Sequence, residues 1–251
     1  MIGTSALWFD LDEKLEFIQQ TTHLKLLEYG IDNLEDLDFF ISKTKNQQLD
    51  KGFHLPLKTN PIEDIKILRD ANFYYVEQIV REALKLKPLY FNMHLGYVFL
   101  WKLAQKREYY IDLACEYLNH LLNLDEEFTL YIENVYTFIT KKSGDLSSFG
   151  CYERDFLEII EKVGSDRLKF CHDTGHSMIQ KTSFDKSSLI SSSLLHLNFN
   201  DSTLDEHLGI YILGDEGKKY YNSILENNLY KHIIFEMPLN ELQKSISFLN
   251  S

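Results

Sequence analysis

Short runs of apolar and β-branched residues alternate along the chain with longer runs whose apolar positions recur every three or four residues. Eight of the short runs read as strands: Ile2–Phe9, Leu24–Gly30, Gly52–Leu57, Leu89–Leu95, Thr129–Tyr136, Leu168–Asp173, Leu194–Asn200 and His232–Glu236. Between them the spacing predicts helices over Glu13–Gln20, Asn33–Ser42, Tyr152–Val163, Lys218–Glu226 and Leu239–Leu249. Each helix is expected to return over the sheet as a right-handed crossover. Eight such units in 251 residues match the size of a (β/α)8 barrel, the TIM-barrel architecture, whereas a doubly wound open sheet normally uses fewer strands. The expected fold is therefore α/β, a single barrel domain over residues 1–251. Pro61–Lys87 and Val98–Phe128 are longer than one helix needs, so each is expected to hold two helices or a helix with a lid segment.

Composition narrows the setting. No apolar stretch reaches the roughly 18 residues of a membrane span, and the opening MIGTSALWFDLDEK lacks a basic segment followed by an apolar one, so a cytoplasmic protein with no membrane partner is expected. The three cysteines, Cys115, Cys151 and Cys171, are far apart and form no CxxC pair, which predicts reduced thiols. A net charge of -12 argues against a broad basic surface for long nucleic acid, which becomes a disfavoured partner.

Chemistry collects where the strands end. In a (β/α)8 barrel the active site lies at the C-terminal ends of the strands, and here those ends carry His54, His94, Glu133, Asp173 with His176, His196 with Asn198, and Glu236. Asp205 and His207 follow strand seven in a D-x-H arrangement and are expected to fold back over the site. Imidazole and carboxylate together suit zinc, manganese or iron better than magnesium or calcium, which favour oxygen-rich shells; the expected cofactor is a divalent metal, zinc first, with manganese or magnesium as alternatives. Glu133, Asp173 and Glu236 would each cost several kcal/mol if buried without a counter-charge, and three on neighbouring strands are hard to explain by packing. His23 and His232 begin strands, at the end of a barrel associated with stability, and His120 sits in a helical run, so all three are assigned structural roles. His172 alternates with Asp173 and is expected to face the helices, Cys171 to be a small buried hydrophobe, and Glu28 either to line the pocket or to cap a loop.

The ordered motifs His54-Leu-Pro, His94-Leu-Gly, Glu133-Asn, Asp173-Thr-Gly-His176, His196-Leu-Asn, Asp205-Glu-His207 and Glu236 together resemble the xylose-isomerase-like barrel superfamily, including the endonuclease IV family (AP endonuclease family 2). The endonuclease IV pattern implies three zinc ions. His54, His94 and Glu133 would surround one; Glu133 would bridge to a second held by Asp173, the strand-seven ligand and Glu236; His176, Asp205 and His207 would surround the third. The sequence departs at strand seven: counting back three residues from Asp201 gives Asn198, while His196 lies two residues earlier. Both face inward, so both are candidates. An Asn oxygen is a weaker, neutral donor that would favour manganese or magnesium.

The sugar isomerase and epimerase branch implies one metal held by Glu133, Asp173, the strand-seven residue and Glu236, with Glu133 and Glu236 moving protons beside a carbonyl. Three functions follow as expectations. The first is hydrolysis of a phosphoester or phosphodiester by metal-activated water, and the second is isomerisation or epimerisation of a sugar or sugar phosphate. The third is a non-catalytic binding barrel, to which Asn198 points if His196 does not ligate. Either enzyme implies a small phosphorylated or sugar-like substrate; the oligomeric state is left open.

Overall fold

The structure, a computed structural model, describes residues 1–137, 146–184, 189, 193–201 and 203–251. Strands β1 (Ile2–Ala6), β2 (Leu26–Gly30), β3 (Asp50–His54), β4 (Tyr90–Met93), β6 (Thr129–Glu133), β8 (Leu168–Asp173), β9 (Ser193–Leu197) and β10 (Tyr230–Phe235) run parallel. They close in the order β1-β10-β9-β8-β6-β4-β3-β2, the eight-stranded barrel that the alternation predicts. Around them lie α1 (Leu11–Gln20), α2 (Leu34–Thr44), α3 (Lys66–Leu84), α4 (Leu100–Leu122), α5 (Glu153–Val163), α6 (Thr174–Gln180), α7 (Asp215–Asn227) and α8 (Leu239–Asn250), with a 3-10 turn at Ile210–Leu213. No helix among the described residues is long and apolar enough to cross a membrane.

Several expected strands end early because their later peptide groups turn to loop partners. In the run predicted to reach Tyr136, which stops at Glu133, Asn134 N–H still reaches Cys171 O of β8 (3.2 Å), but Val135 N–H turns to Gly150 O (3.0 Å) in a loop. The run predicted to reach Asn200 stops at Leu197, after which Phe199 bonds reciprocally with Leu208. Pro61–Lys87 holds one helix, α3, not two, and α4 is a long helix broken by non-helical dihedrals at Lys106. A pair of three-residue strands, β5 (Tyr97–Phe99) and β7 (Leu146–Ser148), lies antiparallel beside the barrel and was not expected, since three residues carry no periodicity.

Two apolar layers fix the barrel. Phe40, Phe53, Phe91, Phe156 and Phe170 are fully buried in the layer between strands and helices, each worth about 1.5–3 kcal/mol of burial. Inside the barrel, Leu26, Tyr90, Tyr131, Cys171, Leu194 and Ile234 form a separate cluster that plugs the floor. Gly52 is required there: a Cβ at that position would lie 2.2 Å from the Tyr90 ring. Above this plug the inward positions turn polar.

His232 sits in the floor against Tyr90 and Tyr131, with ring centroids 5.4 and 6.5 Å away, as its place at a strand start suggested. Burial, then the positive N-terminus and Lys231, push its pKa down to about 3. The unfolded chain takes up this proton near pH 6.5, so the contribution of His232 to stability is fully present above that pH. It declines as pH falls towards 3, by at most about 1.4 kcal/mol per pH unit. His232→Phe is expected to remove this slope: its urea midpoint should fall less than that of the parent between pH 7 and 4.5. Parallel midpoint curves would show that His232 does not titrate in this way.

Candidate metal centre

The polar layer begins two residues above the plug on each strand, because side chains two apart share a face. Tyr90 gives way to Asn92, Tyr131 to Glu133, Cys171 to Asp173, Leu194 to His196 and then Asn198, and Ile234 to Glu236. A cavity of about 480 Å³ opens above this ring, walled by His54, His94, His176 and His207 and by the apolar side chains of Leu7, Trp8, Phe9 and Leu57.

Glu133 is fully buried at the centre of an imidazole cluster. His54 Nε2 and His196 Nδ1 lie 3.3 Å from its Oε2, and His94 Nε2 and His176 Nδ1 lie 3.3 Å from its Oε1. Asn92 also donates to Oε2. Burial alone would raise the pKa of this carboxyl, but the charges of His196 and His94 and the bonds from His176 and His54 hold it well below the usual range. His54 is fixed from behind through Nδ1 to Leu55 O (2.9 Å). Burial opposes its protonation, yet Glu133 wins and raises its pKa to about 9. His94 lacks comparable support, and burial lowers its pKa despite Glu133.

The second group comprises Glu133, Asp173, His196 and Glu236, whose donor atoms all lie within 4.8 Å of one another. Asp173 ends β8 and caps α6, accepting from His176 N at 2.5 Å. Burial, and then the neighbouring Glu236 and Glu133 charges acting against His176, leave its pKa at about 8, so a carboxylate here needs a cation beside it. Glu236 Oε2 is 2.9 Å from His196 Nδ1. Asn198 Nδ2 donates to Asp173 Oδ2 (2.6 Å) and Glu236 Oε2 (3.3 Å), while its buried Oδ1 has no partner. Gly175 makes room for that amide: a Cβ there would lie 1.8 Å from Oδ1. Thus both strand-seven candidates reach the carboxylates, His196 from below and Asn198 from the α6 side.

The third group comes from the loop after β9. Asp205 Oδ2 is 3.3 Å from His176 Nε2 and 3.4 Å from His207 Nε2. His176 Nδ1 lies 2.8 Å from Asn134 O, and His207 Nδ1 lies 2.8 Å from Glu236 O, so both rings turn Nε2 towards Asp205. Hydrogen bonds from these two rings overcome the effect of burial and hold Asp205 strongly acidic. Burial opposes protonation of His207, but Asp205 and Glu236 raise its pKa to about 10. His207 has a left-handed backbone, φ +50°. That conformation is unusual for a non-glycine residue and is held by the bond from its N–H to Asn200 Oδ1 (3.1 Å).

This donor set fits divalent ions. Buried carboxylate oxygens and imidazole nitrogens converge within coordination reach, and His196 Nδ1 stands between two carboxylates, 2.9 Å from Glu236 Oε2 and 3.3 Å from Glu133 Oε2. A nitrogen between two carboxylates carries a proton there or gives its lone pair to a bound cation. Cys171 lies below the ring, its thiol 3.9 Å from Glu133 Oε2 and pushed up in pKa chiefly by burial, in keeping with a small buried residue. His172 faces outward to Tyr230 and Ser177, His120 pairs with Glu77, and His23 is exposed. Two members of the site were not assigned from sequence. Asn92 stands two residues before His94 on one strand face, a spacing that could have identified it, and Glu28, left open above, hydrogen-bonds His196 across the barrel.

The model of the xylose isomerase-like TIM barrel family matches residues 15–251. No curated protein matches the chain in sequence. Among solved structures, a D-tagatose 3-epimerase-like protein superimposes with a TM-score of 0.75 at 17% identity, covering 99% of this chain and 95% of that one. Endonuclease IV from Thermus thermophilus gives 0.65 at 14% identity, covering 99% and 98%. A second Thermus thermophilus protein, soaked with zinc chloride, gives 0.72 at 17% identity, covering 99% and 96%.

Because Glu133 belongs to both the first and the second group, Glu133→Gln is expected to lower metal content by at least one ion per chain after zinc loading and dialysis. His207→Ala is expected to lower metal content too, provided an ion sits between Asp205, His176 and His207, and to leave the Glu133 groups loaded. Elemental analysis of the purified variants measures both, and a Glu133→Gln protein that retains the full complement would rule out this site.

Proposed function

The chain belongs to the xylose isomerase-like TIM barrel family, and from its donor groups we propose that it is a divalent-metal-dependent hydrolase acting on a phosphoester or phosphodiester bond, with water as the attacking group. One observation carries this reading: the site holds more donors than a single ion uses. Glu133, Asp173, His196 and Glu236 already suffice for one ion. His54 and His94 stand on Glu133 as a further group, and His176 and His207 share Asp205 as another. Zinc is the ion that this imidazole-rich set suits best, with manganese or magnesium as alternatives. Ions held by these groups would polarise phosphoryl oxygens and make water a competent nucleophile near neutral pH.

The chain's own residues set the stage for that chemistry. Glu133 lies at the cavity floor with almost no exposure and extends an oxygen towards each set of imidazoles, so in a hydrolase its role is to hold charge between them. Glu236 is the least buried of the three carboxylates, 18% exposed against 1% and 0% for Glu133 and Asp173, and is the one an entering substrate meets. His176 and His207 keep Nε2 aimed at Asp205 through their backbone bonds. Leu7, Trp8, Phe9 and Leu57 give the cavity an apolar outer wall. Among the described residues Lys14 is the only lysine or arginine on the wall, and it is paired with Asp10 at 2.7 Å. The site therefore favours a small phosphorylated molecule, or a short feature of a nucleic acid, over a long polyanion.

The scarcity of cationic side chains among the described wall residues favours a second reading, isomerisation or epimerisation of a sugar with Glu133 and Glu236 as the proton-transfer pair. Exposed Trp8 and Phe9 at the cavity would offer aromatic faces to a sugar ring. Assay of the zinc- or manganese-loaded protein separates the two. A hydrolase should turn over bis(p-nitrophenyl) phosphate, and His94→Ala should reduce that activity to background. Absence of cleavage across a phosphoester panel, with solvent deuterium appearing beside a ketose carbonyl, would replace hydrolysis by isomerisation.

A further inference from the structure

We propose that Glu28 and Tyr90 are positioning residues that present His196 Nδ1 as the strand-β9 donor of the metal centre; this rests on the metal-centre reading above. The three side chains are sealed in the barrel, Glu28 at 1% and Tyr90 and His196 at 0% exposure. Tyr90 donates its hydroxyl hydrogen to Glu28 Oε2 at 2.8 Å, and His196 Nε2 lies 3.1 Å from the same oxygen and 3.0 Å from Oε1. Gly52 supplies the space in which the Tyr90 ring stands, so the chain of contacts runs from β3 through β4 and β2 to β9.

An ionised carboxylate can only accept hydrogen bonds, so Glu28 requires the hydrogen of His196 on Nε2. The lone pair of the neutral ring then sits on Nδ1. That nitrogen is 2.9 Å from Glu236 Oε2 and 3.3 Å from Glu133 Oε2, where a shared cation would satisfy all three groups. The competing donor Asn92 Nδ2 is 3.5 Å from Nε2 and makes its close bond to Glu133 instead. The arrangement distinguishes the two strand-seven candidates. His196 is braced from behind, whereas Asn198 directs its Nδ2 group at Asp173 and Glu236. A glutamine at position 28 keeps the shape but can donate to Nε2, which allows the hydrogen to move to Nδ1 and block the donor.

Cobalt(II) titration of the full chain, followed by its visible absorption bands, tests this. Glu28→Gln should weaken cobalt binding by roughly 10- to 100-fold, the usual cost of losing such support, and shift the bands. Tyr90→Phe should give a smaller loss in the same direction, and the metal-free melting temperatures of both variants should stay near that of the parent. Unchanged affinity and spectrum in Glu28→Gln overturn the proposal while leaving the metal centre standing. If Glu28→Gln does not fold, unchanged binding in Tyr90→Phe overturns it equally. A parent protein that binds no cobalt overturns the metal reading as well.

Discussion

The arrangement at the mouth of the barrel depends on one electrostatic requirement, the compensation of Glu133. A carboxylate with no solvent exposure is costly unless opposite charge or strong donors surround it. Here four imidazoles and one amide from β3, β4, β8–α6 and β9 converge on its two oxygens. Three of those partners are held from behind, His54 and His176 by backbone carbonyls and His196 by the deeper carboxylate of Glu28, so the demand of one buried charge propagates through most of the ring. In a metal-free barrel His54, His176 and His196 supply the positive charge; when ions bind, the same nitrogens become available as neutral donors. One geometry serves both states.

The barrel makes this convergence possible through parity and height. Every second residue of a strand points inward, and closure brings residues distant in sequence to one level. The aromatic plug of Tyr90 and Tyr131 separates the polar layer from the floor and sets the depth at which the ionisable side chains stand. Glu28 and His196 occupy the level just above that plug, whereas Asp205 and His207 approach from a loop. The site is thus assembled from two directions, with rigid strands below and a loop anchored through Asn200 and Glu236 above.

Much of this was legible in the sequence, for identifiable reasons. The barrel strands were readable because eight apolar runs recur between helical ones, and the inward direction of Glu133 and Asp173 followed from strand parity. Strand ends were less readable. Extended residues such as Val135 and Phe199 look like strand but bond to loops, and only tertiary partners reveal the difference. The pair β5 and β7 was too short to register. Glu28 remained ambiguous because its role depends on what stands across the barrel, and neither Tyr90 nor His196 is near it in sequence. The choice between His196 and Asn198 was beyond parity altogether: they share a face and differ in height and in what stands behind them.

The double duty of Asp173 bears on how such a barrel would change over generations. Its carboxylate faces Glu236 and Glu133 and also closes the first turn of α6, and losing a helix cap costs about 1 kcal/mol in its own right. Selection for folding alone would therefore tend to preserve Asp173 in a lineage that no longer needed the reaction. His94 is the opposite case. Among the described residues it makes no hydrogen bond to backbone, and its polar tie is to Glu133. In a descendant relieved of its chemistry His94 would drift early and Asp173 late, so a histidine at position 94 is the better sign that the activity is still under selection.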